Sequence, residues 1–164
     1  MRLAVLALSA ALLAGCATPT RDARLQPGVS REAEVVALYG QARRVWPEAD
    51  GGRTLEYSTQ PMGQHCYMVR LAADGRLASI EDGLSAASRS RIEPGMTPEQ
   101  VSRILGVERS RVFFRLSGED VWDWTVEPDQ IGYGLRFNVH FKDGIVVRTT
   151  QSMVFPSRFP GLDD

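Results

Sequence analysis

The sequence predicts an α+β protein of two tandem units, each a short helical segment packed on a three- to four-stranded antiparallel sheet. An internal repeat divides the chain, because the segment 25–30 (Leu-Gln-Pro-Gly-Val-Ser) returns as 92–97 (Ile-Glu-Pro-Gly-Met-Thr). Each copy opens with capping residues and helical periodicity. Each closes with alternating strands around an Asp-Gly turn. The repeats are placed at 26–84 and 92–155.

The helix of each copy is predicted to begin at a hydroxyl residue and to end at a glycine. Ser30 and Thr97 are the expected N-caps, since a hydroxyl accepts hydrogen bonds from the free amides of a first turn. Gly40 and Gly106 are expected to end the helices in the left-handed conformation. Between them, apolar residues at helical spacing predict one buried face. These residues are Val35, Leu38 and Tyr39 in the first copy and Val101, Ile104 and Leu105 in the second.

Strands follow the helix in both copies. In the first copy, 55–57 alternates with polar neighbours, and 66–71 and 77–81 form a hairpin around Asp74-Gly75. The equivalent segments of the second copy are 122–124, 135–141 and 145–150, with the turn at Asp143-Gly144.

Three segments are less regular. The segment 111–116 is either a further strand or an irregular connector, and 85–91 is the expected joint between the units. The tail 156–164 holds two prolines and a glycine and is expected to lie outside the sheet.

The N-terminus indicates export and lipid attachment. Arg2 supplies a positive n-region, and 3–13 is apolar apart from Ser9, which is shorter than the roughly 20 residues of a spanning helix. The run Leu13-Ala14-Gly15-Cys16 resembles a bacterial lipobox, in which cleavage falls between Gly15 and Cys16 and the Cys16 thiol carries the lipid. The signal peptide is therefore 1–15 and the lipidated tether 16–25. The alternative is an ordinary secretory signal with an incidental cysteine.

A lipidated protein of this kind lies on a membrane without crossing it. Each buried acyl CH₂ contributes about 0.8 kcal/mol, and a tether of this length reaches at most about 30 Å. In enteric lipoproteins an Asp after the cysteine retains the protein at the inner membrane. Ala17 at that position therefore implies the periplasmic face of the outer membrane.

Composition and spacing exclude several functions. The formal net charge of −1 argues against a nucleic-acid partner, and two cysteines are too few for a disulfide scaffold. The His, Cys, Asp and Glu residues do not show metal-ligand spacing. Gly132-Tyr-Gly134 is glycine-rich but lacks the pattern of a phosphate-binding loop. We expect no metal and no cofactor.

The second copy resembles the SmpA/OmlA lipoprotein family. The resemblance rests on 94–101 with Leu105-Gly106, on Asp120-Val-Trp122-Asp-Trp124, and on the closing hairpin 135–145. That family includes the small lipoprotein of the β-barrel assembly machine, and its fold is similar to half of the β-lactamase inhibitory protein. This chain departs from it in carrying two units. The motif residues carried over are structural: Gly95, Thr97, Val101, Leu105, Gly106, Trp122, Trp124, Phe141 and Gly144.

The resemblance implies a non-enzymatic envelope lipoprotein that binds proteins. The implied role is either outer-membrane-protein assembly or envelope integrity, with β-barrel assembly components as candidate partners, or that of an inhibitor-like or stress-related module. An envelope hydrolase using a carboxylate pair is the remaining alternative. No catalytic residue is assigned.

Titratable side chains are expected to be structural. His65 and Cys66 point to opposite faces of a strand, so they do not form a catalytic pair. Cys66 is expected to be semi-buried, with a dimer disulfide as the alternative. His140 lies on the alternate face of its strand. Glu119, Asp120 and Asp123 are expected to be solvated charges at a hairpin lip.

The remaining candidates are aromatic side chains, since aromatic anchors are typical of protein interfaces. Two or three of them are expected to face outward. They are Trp46, Phe113, Phe114, Trp122, Trp124 and Tyr133.

Overall fold

The structure, a computed structural model, describes residues 24–154. The signal peptide, Gly15, Cys16, the tether up to residue 23 and the tail from 155 fall outside the described residues. Cleavage and lipidation therefore stay predictions of the sequence.

Two four-stranded antiparallel sheets, each preceded by a short helix, make up the described chain, which confirms the predicted fold class. The strand order is β1-β2-β3-β4 in the first sheet and β5-β6-β7-β8 in the second. The first unit consists of α1 (Glu32–Tyr39), β1 (Arg44–Pro47), β2 (Arg53–Ser58), β3 (Cys66–Leu71) and β4 (Leu77–Asp82). The second consists of α3 (Pro98–Leu105), β5 (Ser110–Phe114), β6 (Glu119–Val126), β7 (Gly134–Lys142) and β8 (Ile145–Val154).

Two of the three less regular segments contain regular secondary structure. The expected joint contains a further helix, α2 (Ala86–Arg89), whose N-cap is Ser85. The segment around 111–116 is strand β5, which pairs with β6 through the turn at 115–118.

The two helices begin differently. Thr97 caps α3 as predicted, since its Oγ1 accepts from the Gln100 amide at 3.3 Å while Gln100 Oε1 accepts from the Thr97 amide at 2.8 Å. The prediction for Ser30 is wrong, because α1 begins one residue later with Arg31 as its N-cap. Ser30 is buried, its carbonyl accepts from the Leu77 amide, and its hydroxyl accepts from the Gln26 amide.

Glycine ends both helices, although not in the predicted left-handed helical conformation. Gly40 has φ 85° and ψ −160°, and Gly106 has φ 74° and ψ −163°. This region is open essentially to glycine alone. The extended ψ arises because the chain leaves each helix directly toward the first strand of its unit.

Two cores hold the fold together, and the second reaches across the junction. The first lies between α1 and the inner face of the first sheet, and it includes Leu25, the last residue of the predicted tether. The second lies around α3 and takes Cys66 and Met68 from the outer face of the first sheet. Helix α3 therefore packs against both sheets.

Buried hydrogen bonds also join the units. The fully buried Glu56 of β2 accepts from the Val107 amide at 2.8 Å and from Trp46 Nε1 at 3.0 Å. Gln60 Nε2 donates to the Thr125 carbonyl at 2.7 Å. These bonds satisfy polar groups that burial would otherwise penalise.

The family-motif residues occupy structural positions. Gly95 and Gly144 have positive φ values of 92° and 81°, and Thr97 caps α3. The apolar members Val101, Leu105, Trp122, Trp124 and Phe141 are buried in the second core.

Candidate binding surface and polar clusters

The hairpin formed by β5 and β6 carries four exposed apolar side chains close together in sequence. We call Val112, Phe113, Phe114 and Leu116 the hairpin surface. Phe113 is 62% exposed, and Leu116 at the turn is fully exposed. Strand β5 is also an edge strand, with β6 as its neighbour in the sheet order. Exposed edges with large apolar side chains are typical of interaction sites.

The sheet register explains why the apolar side chains reach both faces of this edge. Phe113 lies opposite Asp120, and Phe114 lies opposite Glu119. Because successive residues of a strand alternate, the two rings point to opposite faces of the sheet. Leu116 extends from the turn between them. A partner that grips this edge meets an aromatic ring on either side.

The equivalent edge strand of the first unit, β1, contacts the second unit through Trp46. In β1 the Trp46 ring is contacted by the Arg44 and Arg103 guanidinium groups, 4.8 and 4.9 Å from its centroid. Trp46 also donates to Glu56, and the strand ends at Pro47, which has no backbone N–H. The first unit thus uses this edge to hold the second unit, whereas the second unit leaves it exposed.

The outcome for the six candidate aromatics is mixed, as predicted. Phe113, Phe114 and Tyr133 are exposed, whereas Trp122 and Trp124 are buried and Trp46 is half-buried. The number of outward-facing rings therefore agrees with the prediction of two or three.

The prediction of solvated carboxylates on β6 is wrong. Asp123 is buried, accepts from Arg109 Nε at 2.5 Å and is also bonded by the Ser110 hydroxyl. Asp120 accepts from Trp122 Nε1 at 2.9 Å. Asp123 is bonded by Arg109, which directly precedes β5, and by Ser110 of β5, whereas Asp120 is bonded by Trp122 of its own strand. The two carboxylates of an acid–base pair are therefore not brought to a shared site.

Glu119 belongs to a separate cluster on the outer face of the second sheet. Its Oε2 lies 3.0 Å from His140 Nδ1 and 2.6 Å from Arg148 Nη2. The hydrogen bond from His140 and the charge of Arg148 hold the pKa of the Glu119 carboxyl below its usual range.

This cluster continues into an acid–imidazole–hydroxyl chain. His140 Nε2 lies 2.9 Å from Thr150 Oγ1. The resulting series of carboxylate, imidazole and hydroxyl has the same order as the groups of a catalytic triad. However, Arg148 Nη1 lies 3.1 Å from the same nitrogen. A general base would need a free lone pair on His140 Nε2, but the Arg148 guanidinium is placed to donate to that nitrogen. The geometry therefore favours a structural network.

His65 and Cys66 do not converge. His65 Nδ1 lies 2.7 Å from Asp82 Oδ2, while the Cys66 side chain lies in the core at the junction. Cys66 is completely buried rather than semi-buried, and burial raises the pKa of its thiol. Burial also keeps Sγ from a second copy, which argues against the dimer disulfide.

A pocket of about 210 Å³ opens beside the end of α1. We call it the tyrosine pocket, because Tyr39, Tyr57 and Tyr67 line it together with polar side chains. The polar lining residues are Gln41, Arg43, Ser58 and Thr59. No sequence pattern predicts this pocket, because Tyr57 and Tyr67 come to face each other only when β2 and β3 pair.

Residues 24–154 contain neither a metal-binding cluster nor a membrane-spanning helix. No group of three or more His, Cys, Asp or Glu side chains there is placed to hold a metal ion. No helix in that part of the chain is long and apolar enough to cross a membrane.

Comparison with known proteins gives little further information. No protein-family model matches the chain, and no curated protein matches it. A similar solved structure is the crystal structure of a DUF4309 family protein (YjgB) from Bacillus subtilis subsp. subtilis str. 168. The two sequences are 20% identical, and the alignment covers 83% of this chain and 86% of the Bacillus chain with a TM-score of 0.32. A similarity this low carries no argument about fold or function.

Proposed function

We propose that the protein is a lipid-anchored binding or scaffold protein on the periplasmic face of the outer membrane. Its role is non-catalytic and lies in envelope integrity or outer-membrane-protein assembly. The hairpin surface is the observation that carries this proposal. The anchor rests on the Leu13-Ala14-Gly15-Cys16 run of the sequence.

The hairpin surface is suited to binding a protein partner. Removing apolar area from water contributes about 25 cal/mol per Å², and buried aromatic side chains are frequent hot spots of interfaces. Phe113 and Phe114 are both more than half exposed on a strand with a free edge. An unprotected apolar edge is also an aggregation hazard. A partner that covers it would therefore both remove apolar area from water and prevent edge-to-edge association.

The polar clusters support a non-catalytic role. Most of the candidate acids and bases of the sequence bond to side chains of other segments, and the candidate nucleophile Cys66 is buried in a core. Asp123 binds Arg109, Glu119 binds His140 and Arg148, and Cys66 packs at the junction of the units.

Site-specific crosslinking in the cell tests the proposal. A photoreactive phenylalanine analogue replaces Phe113 in the anchored protein, and the adducts are identified by mass spectrometry. The matched control places the same analogue at Met62, which is 91% exposed in the first unit. We expect a discrete adduct from position 113 that is absent from position 62 and is lost in Phe114→Ser.

The adduct also separates the two roles. A β-barrel assembly component would identify an assembly accessory, whereas another single envelope protein would identify an inhibitor-like module. Equal labelling at positions 113 and 62 would refute the hairpin surface as the binding site.

A further inference from the structure

We propose that the tyrosine pocket binds a small carboxylate with an apolar body, either a free organic acid or the carboxyl terminus of a peptide. This inference is independent of the hairpin surface, which belongs to the second unit. It rests on unpaired donors, on the charge of the lining and on the shape of the pocket.

Two of the tyrosines that line the pocket each have a buried phenol hydroxyl without a hydrogen-bond partner among the described residues. Tyr39 Oη and Tyr57 Oη are both buried and unpaired within the described residues, and Tyr57 is only 8% exposed. Buried polar groups are normally satisfied, so two orphans among the tyrosines of one pocket require an explanation. An acceptor supplied by a ligand provides one.

The lining selects an anion. Arg43 is exposed and, within residues 24–154, has no carboxylate at ion-pair distance, and the pocket lining contains no acidic residue. Burial and the nearby Glu32 charge raise the pKa of Tyr57, so its phenol keeps its proton and remains a donor. Glu32 itself is bound by Arg53. Two neutral donors and a guanidinium are complementary to the oxygens of a carboxylate.

The walls suit an apolar body of limited size. The Tyr39 ring lies 5.0 Å from Tyr57 and 5.6 Å from Tyr67, centroid to centroid, so aromatic surface forms the interior. The volume of about 210 Å³ limits the ligand to a small molecule, such as one ring with its carboxylate. Both phenol oxygens are covered by neighbouring atoms, so the proposed binding requires the rings to shift.

The proposal is tested by calorimetry on the full chain carrying Cys16→Ala, with two probes and their neutral amides. Phenylacetate represents a free acid, and N-acetylphenylalanine represents a chain terminus. Phenylacetamide and N-acetylphenylalanine amide are the isosteric controls. We expect saturable binding of at least one carboxylate, weakened at least tenfold in its amide. Which carboxylate binds more tightly identifies the source.

Three variants locate the site. Arg43→Gln and Tyr57→Phe are expected to weaken binding about tenfold or more, whereas Arg115→Gln, on the distant hairpin, should leave it unchanged. Tyr57→Phe should also keep or raise the thermal midpoint, because it deletes an unsatisfied buried hydroxyl. Failure of both carboxylates to bind, equal binding of the amides, or binding that survives Arg43→Gln and Tyr57→Phe would overturn the proposal.

Discussion

Gly106→Ala is expected to destabilise the protein more than the same change at Gly40. The two glycines end equivalent helices with nearly the same φ and ψ. Alanine at either position therefore incurs a similar backbone strain of about 1–3 kcal/mol. The surroundings differ, since a Cβ at Gly40 meets open space, whereas a Cβ at Gly106 overlaps Cys66 Sγ and crowds the Glu56 carboxylate.

The size of the difference follows from packing at the junction. Forcing one extra carbon into a well-packed core costs about 1–3 kcal/mol. We expect Gly106→Ala to exceed Gly40→Ala by that amount, measured as the free energy of unfolding in urea. Cys66→Ala removes the sulfur that the new methyl group meets. The double variant Gly106→Ala/Cys66→Ala should therefore lose less stability than the sum of its single variants.

The comparison isolates the contact between the units. Equal destabilisation by the two glycine substitutions would show that α3 does not approach the first sheet this closely. Strict additivity of Gly106→Ala and Cys66→Ala would refute the proposed overlap. In both cases Gly40→Ala supplies the cost of strain alone.

Three further predictions concern other parts of the molecule. Trp124→Ala should cost about 3–5 kcal/mol of unfolding free energy, because the ring is fully buried; an unchanged thermal midpoint would contradict this. Glu119→Gln should reduce the loss of unfolding free energy that the wild type shows as the pH is lowered below about 4.5. The lowered pKa of Glu119 stabilises the wild type above the usual value near 4.5, and this contribution is lost as pH falls through the folded pKa; parallel pH profiles would refute it. Cys16→Ala should move the protein from the membrane pellet to the soluble periplasm, and a variant that stays in the pellet would argue against the anchor.

Local sequence patterns predicted the architecture because they act over a few residues. The Thr97 capping box, the apolar spacing of Val101 and Leu105, and the alternation of 135–141 each specify their own element. The prediction that Ser30 caps α1 was also based on a local pattern, and it is wrong. Its hydroxyl and carbonyl are used by the turn at Gln26 and by β4, and both bonds depend on how the first unit folds back on itself.

The candidate site was only partly predictable. Phe113 and Phe114 stood out as aromatics, yet their exposure depends on β5 lying at an edge. The acidic residues of β6 look solvated in sequence, because Arg109 and Arg148 reach Asp123 and Glu119 only after the strands pair. The tyrosine pocket is formed where the end of α1 lies against β2 and β3. No local sequence pattern predicts that these three elements come together.

The sequence by itself determined two tandem helix-plus-sheet units and the prediction of a lipid anchor, since capping, periodicity and a lipobox-like run are short-range signals. Tertiary structure decided what each face does. Helix α3 covers the outer face of the first sheet and contacts its edge strand at Trp46, while the equivalent edge strand of the second unit stays exposed. The reason is physical, because burial is a property of what packs against a residue, and two similar repeats acquire different surfaces once one of them binds the other.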